Sequence, residues 1–111
     1  DSCFHEAFQK YKDTAFTIGQ AEIMRDMGKL YHSTGNFKAS TQNLKAAIKT
    51  FKEKNYIKGL AEVYYFLAKN EYARQNYNSA LKSLKKAKTY NNQIKDAQLS
   101  LSPALRFVNQ P

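Results

Sequence analysis

The chain has 111 residues, and 18 Lys and Arg against 9 Asp and Glu leave a formal net charge of +9. With 42% apolar and 14% aromatic residues it is too rich for a disordered tail, and 4 Gly with 2 Pro are too few for an all-β chain of tight turns. Cys3 is the only cysteine, which excludes an internal disulfide and a multi-cysteine metal site, and the longest uncharged apolar run, Val63 to Ala68, is far short of the roughly 20 residues of a membrane span.

Taken in chain order, Asp1 to Asp13 reads as a helix with Phe4, Phe8 and Tyr11 on one face. From about Thr17 to Thr34, apolar or small residues at Ala21, Met24, Met27, Gly28 and Tyr31 mark a second helical face. Gly35-Asn36 interrupts the pattern and suits a helix C-terminus. A helix from about Phe37 to Phe51 follows, with Ser40, Leu44, Ala47 and Ile48 on its stripe. Ala61, Tyr64, Leu67 and Ala68 form the next stripe, and Gln75-Asn76 the next turn. Tyr77, Ala80, Leu81, Leu84 and Ala87 carry the last strong stripe. Ser102-Pro103 reads as a cap plus first-turn proline, opening a short helix to Asn109 with Ala104, Phe107 and Val108 on its stripe.

These helices belong to an internal repeat. Shifting the sequence by 40 residues aligns 21–60 with 61–100 and leaves Ala21/Ala61, Glu22/Glu62, Lys29/Lys69, Asn36/Asn76, Leu44/Leu84, Lys45/Lys85 and Ala47/Ala87 identical. Ile23/Val63, Met27/Leu67, Gly28/Ala68 and Phe37/Tyr77 are conservative pairs. Residues 1–20 match 41–60 at the same shift, with Gly19 meeting Gly59. The chain therefore divides into 1–20, a second helix of a partial repeat plus a linker; 21–60 and 61–100, two repeats; and 101–111, a truncated or capping helix. Two helices joined by two or three residues pack antiparallel, and one such hairpin cannot bury both stripes without neighbours.

Met24, Met27-Gly28, Tyr31, Ser40, Leu44 and Ala47, and again Tyr64, Leu67-Ala68, Ala80, Leu84 and Ala87, resemble the tetratricopeptide repeat. The resemblance implies an all-α fold, an α-α superhelix of antiparallel hairpins. Gly28 and Ala68 would sit where the helices of a hairpin cross closely, with Ser40 and Ala80 opposite. The period is 40 rather than 34, the closing proline is missing, and Glu71 replaces the tyrosine of the motif. The six extra residues are expected between hairpins, around Glu53–Gly59 and Tyr90–Ala97. This length resembles the long repeats of bacterial signalling and regulatory proteins. The chain is expected to be a slice of a longer array.

No constellation points to catalysis, a cofactor or a metal. His5 and Glu6 open like a metalloprotease helix, but Gln9 stands four residues after His5 where a second ligand is needed. Cys3 and His5, two apart, fall on different helix faces. His32 has no ligand-spaced neighbours. Gly19, Gly28, Gly35 and Gly59 are scattered and form no phosphate loop. Glu22 and Asp26 neighbour Arg25 and Lys29, a salt-bridged face.

The expected function is a non-enzymatic protein- or peptide-binding module. In this family the first helix of each hairpin lines the groove. Carried over, the groove holds Arg25, Lys29 and His32 in the first repeat and Tyr65, Phe66, Lys69 and Tyr72 in the second. Aromatics beside cations suit an extended ligand with apolar and acidic side chains. The charge excess lies elsewhere: net zero over 1–40, +4 over 41–80 and +5 over 81–111. Lys45, Lys49, Lys82, Lys85 and Lys86 fall on second helices and form a basic convex face, the alternative site for nucleic acid or an anionic membrane. No nucleic-acid signature accompanies it. A third reading is self-association through the exposed N-terminal helix. One cysteine fits a cytoplasmic location, and a periplasmic sensor region fits as well.

Overall fold

The computed structural model describes residues 2–101, and they form four helices: α1 Ser2–Ser33, α2 Phe37–Glu53, α3 Ile57–Ala73 and α4 Tyr77–Leu101. Among the described residues there is no strand, and no helix is long and apolar enough to cross a membrane. The expected helix from Pro103 to Asn109 lies outside the described residues.

Three turns of one design join the helices. In each, a residue with positive φ follows the helix: Gly35 at 82°, Asn55 at 56° and Gln75 at 64°. The next amide then reaches back five residues, Asn36 to the Tyr31 carbonyl, Tyr56 to Phe51 and Asn76 to Glu71, at 2.8–2.9 Å. The left-handed residue lets the chain reverse while the last carbonyls keep their donors. These turns recur every 20 residues, half the period read from the sequence. Asn36 also caps α2, its side-chain oxygen accepting from the Ala39 amide at 3.2 Å. Tyr56 packs its ring edge-on against Phe51 instead, with centroids 5.1 Å apart.

The structure departs from the sequence expectations in two places. The expected break between a helix and a linker within 1–20 is absent: α1 runs unbroken from Ser2 to Ser33. The position 20 residues before Gly35 is Ala15, the strongest helix former and one with no turn signal. The six extra residues do not lie between hairpins either. Three residues separate α2 from α3, Ile57–Gly59 is already in α3, and 90–97 is inside α4. The added length of the repeat is helix.

Each helix packs on the next, α1 also touches α3, and among the described residues α4 packs on α3 alone. The principal extents of 52 × 48 × 21 Å give a slab about two helix diameters thick. The close crossing expected at Gly28 is present: a Cβ there would stand 2.6 Å from Leu44 Cδ2. The Ser40 hydroxyl donates to the Gly28 carbonyl at 2.6 Å across the same crossing. Ala68 and Ala80 are buried in the second hairpin.

The core is central. Leu44, Ala47 and Phe51 of α2 and Leu60, Val63, Tyr64 and Leu67 of α3 are buried. Among the described residues the two outer edges are open. Met24 and Met27, expected on a packed stripe, are 39% and 38% exposed, although their counterparts Tyr64 and Leu67 are buried. Among the described residues no helix covers that side of α1. Tyr77, Leu81 and Leu84 are exposed at the opposite edge for the same reason, and Phe4, Phe8 and Tyr11 stand in solvent on the first turns of α1.

Candidate functional site

The residues expected to line a groove separate into two groups. Arg25, Lys29, His32 and Phe66 join α1 to α3. Lys29 Nζ donates to Glu62 Oε1 at 2.7 Å, and Arg25 reaches the same carboxylate at 3.6 Å while also pairing with Glu22 and Asp26. The Tyr56 hydroxyl donates to Glu22 at 3.5 Å. Burial first, and then the Glu22 charge, hold the Tyr56 phenol above the usual tyrosine range. Phe66 is half-buried, with His32 edge-on at 5.8 Å and Lys29 over its ring at 5.4 Å.

Asn70, which the sequence reading passed over, ties three helices together. His32 Nδ1–H donates to Asn70 Oδ1 at 2.6 Å, and Asn70 Nδ2 donates to Ser40 Oγ at 2.7 Å. Ser40 passes the chain to Gly28, and Thr41 Oγ1 lies 3.4 Å from the same amide. Asn70 is fully buried, and among the described residues no buried side-chain polar atom lacks a partner. The signal in the sequence was the pairing of Asn70 with Leu30 across the repeat, a polar residue at an apolar position.

The second group faces outward. Lys69 Nζ stands 5.2 Å from the Tyr65 ring centroid and 5.0 Å from that of Phe66. Among the described residues no carboxylate lies within ion-pairing distance of it. Its counterpart Lys29 has Glu62. Tyr65 is 47% exposed, and Tyr72 is 67% exposed and meets Tyr77 at 5.4 Å.

Beside Lys69 runs a groove between α3 and α4. A cleft of about 280 Å³, walled almost entirely by apolar atoms, is lined by His32, Ala68, Lys69, Tyr72, Ala80 and Leu84. Farther along, a cleft of about 460 Å³ is lined by Lys58, Ala61, Glu62, Tyr65, Asn91, Ile94 and Gln98. The matching groove between α1 and α2 is filled by α3, through Asn70 on Ser40, Glu62 on Lys29 and Phe66 on His32. Among the described residues the α3/α4 groove is thus the open copy of a groove that already holds a helix.

Lys45, Lys49, Lys82, Lys85 and Lys86 are all exposed on α2 and α4. Lys85 and Lys86 line a cleft of about 280 Å³ completed by Lys52, Tyr64, Thr89, Tyr90 and Gln93. Lys86 and Lys52 lie over the Tyr64 ring at 5.2 and 5.8 Å. The neighbouring Tyr64 side chain holds the Lys52 ammonium above the usual lysine range. Cys3 and His5 lie on the exposed first turns of α1. Among the described residues no group of three or more His, Cys, Asp or Glu is placed to hold a metal ion.

Comparison with protein-family models, with curated proteins and with solved structures finds no match.

Proposed function

We propose that the chain is a non-catalytic binding module of the tetratricopeptide type, which takes a helical segment with an acidic flank into the α3/α4 groove. One observation carries this reading. Lys69 sits over two aromatic rings beside an apolar groove and has no carboxylate partner among the described residues, whereas Lys29 at the equivalent place is paired to a helix lying in the equivalent groove. Helix-in-groove recognition uses apolar anchors for affinity and charged flanks for register.

The tetratricopeptide reading is supported by the 40-residue recurrence, the hairpins and the Gly28–Leu44 crossing. As in the bacterial signalling proteins that the repeat length resembles, ligand binding in a longer chain would shift an attached effector.

A fluorescent amphipathic peptide with an acidic flank, titrated against the wild type and a Tyr65→Ala/Tyr72→Ala variant, tests the groove. We expect about tenfold or more weaker binding by the variant, because exposed aromatic anchors cost more than about 1 kcal/mol each when truncated. Equal binding sinks the assignment. The basic cleft of Lys52, Lys85 and Lys86 favours a second reading, an anionic partner on the outer face. An oligonucleotide arm of the same titration separates the two: tight, steeply salt-dependent binding that ignores the tyrosine variant supports the cleft instead.

A further inference from the structure

We propose that the occupant of the α3/α4 groove is the α1 helix of a second copy of this chain, so that copies stack head to tail. This rests on reading that groove as a binding site. Its geometry comes from the contact the chain already makes with itself, where α3 lies in the α1/α2 groove. Moving that contact by one 40-residue repeat puts α1 of a second copy into the α3/α4 groove.

The residues on the two open edges match under this shift. Inside the chain, Asn70 faces the hydroxyls of Ser40 and Thr41. At the edges the corresponding residues are Leu30, facing Ala80 and Leu81. Both sides of the contact have changed together, from polar to apolar, and Leu30 and Leu81 are 56% and 53% exposed. The ion pair transfers without change of residue type. Lys29 holds Glu62 at 2.7 Å, and Lys69, which lacks a carboxylate among the described residues, would hold Glu22 of the second copy.

Gly19 fits the same scheme. Gly59 lies against the Phe51 ring, so close that a Cβ would stand 2.6 Å from it. A Cβ at Gly19 would meet nothing within 4 Å. In the stack Gly19 faces Asn91 of the neighbour.

The lengthened ends of α1 and α4 also find partners. Continuing the antiparallel register past the place where α2 and α3 are joined by a turn sets Phe16 opposite Ile94 and Tyr11 opposite Leu99. Phe16, Tyr11 and Leu99 are 68%, 72% and 50% exposed in the single chain. Lys88 and Asn91 stand where Ile48 and Phe51 stand internally, so the stacked contact is less apolar than the α2–α3 one and depends on concentration. The two faces differ, which makes the contact head to tail, a ring or an open chain rather than a two-fold pair.

Sedimentation velocity on the full chain over a wide concentration range tests this, with circular dichroism to check that each variant keeps its helices. We expect the mean mass of the wild type to rise with concentration. Glu22→Lys and Lys69→Glu should each lower association, the two together in one chain should restore it, and Leu30→Glu should abolish it. A wild type that stays at one-chain mass throughout overturns the proposal, including the case in which residues after 101 cover the edge. So does association that ignores Lys69→Glu, or a double reversal no better than the single ones. If the wild type is monomeric yet takes the acidic helical peptide, only the second copy is wrong. If it takes neither, the groove reading falls too.

Discussion

At the scale of single residues, the two helical glycines related by the repeat have opposite surroundings. Gly59 sits under the Phe51 ring, which is fully buried and has no room to swing away. Gly19 faces open space. Alanine gains about 1 kcal/mol over glycine inside a helix, while forcing a methyl into a packed site costs about 1–3 kcal/mol. Gly19→Ala should therefore stabilise the chain by about 0.5–1 kcal/mol in dilute solution, and Gly59→Ala should destabilise it. Thermal unfolding decides between this and a uniform helix-propensity effect, in which both substitutions would raise Tm. Asn70 makes a related point about polar burial. Its amide satisfies His32 and Ser40 at once, so a buried polar side chain becomes a joint between three helices rather than a defect.

At the scale of elements, the turns decide where helices end. Gly35 takes positive φ without strain, but Gln75 does so at φ 64° with a side chain attached. Gln75→Gly should remove about 1 kcal/mol of that strain and raise Tm by about 4–8 °C. A fall in Tm would mean that the side chain of Gln75 supports the turn. The same physics explains what was legible in the sequence. Gly35-Asn36 and Gln75-Asn76 marked their turns because Asn36 and Asn76 coincide at the 40-residue shift. The turn at Lys54–Tyr56 was read as a longer linker because Tyr56 carries no turn signal: its ring works by packing on Phe51. The continuity of α1 was illegible because the Phe4, Phe8 and Tyr11 stripe stops before Asp13 and the next begins at Ala21, and nothing in the residues between distinguishes an exposed helix from a linker. Lys69 and Tyr65 were legible as exposed by their place off the packing stripe. The pairing of Lys29 with Glu62 was not, since it depends on how one hairpin sits on the next.

At the scale of the whole molecule, burial falls off from the centre to both edges. The α2–α3 pair holds most of the buried side chains, while residues 3–13 of α1 are all exposed, as are 91–93 and 95–99 of α4. Local opening free energy follows such contacts. Amide hydrogen exchange in dilute solution should be slowest in α2 and α3. It should be fastest in α1 before residue 14 and in α4 after 90, where the backbone bonds face water with no covering layer. Raising the protein concentration should slow exchange in those two end segments and leave the α2–α3 centre unchanged, because head-to-tail stacking sets one end beside the other. Protection that is uniform along α1 at dilution would mean its first turns are covered within a single chain. End segments whose exchange ignores concentration would place the stacked contact elsewhere or remove it.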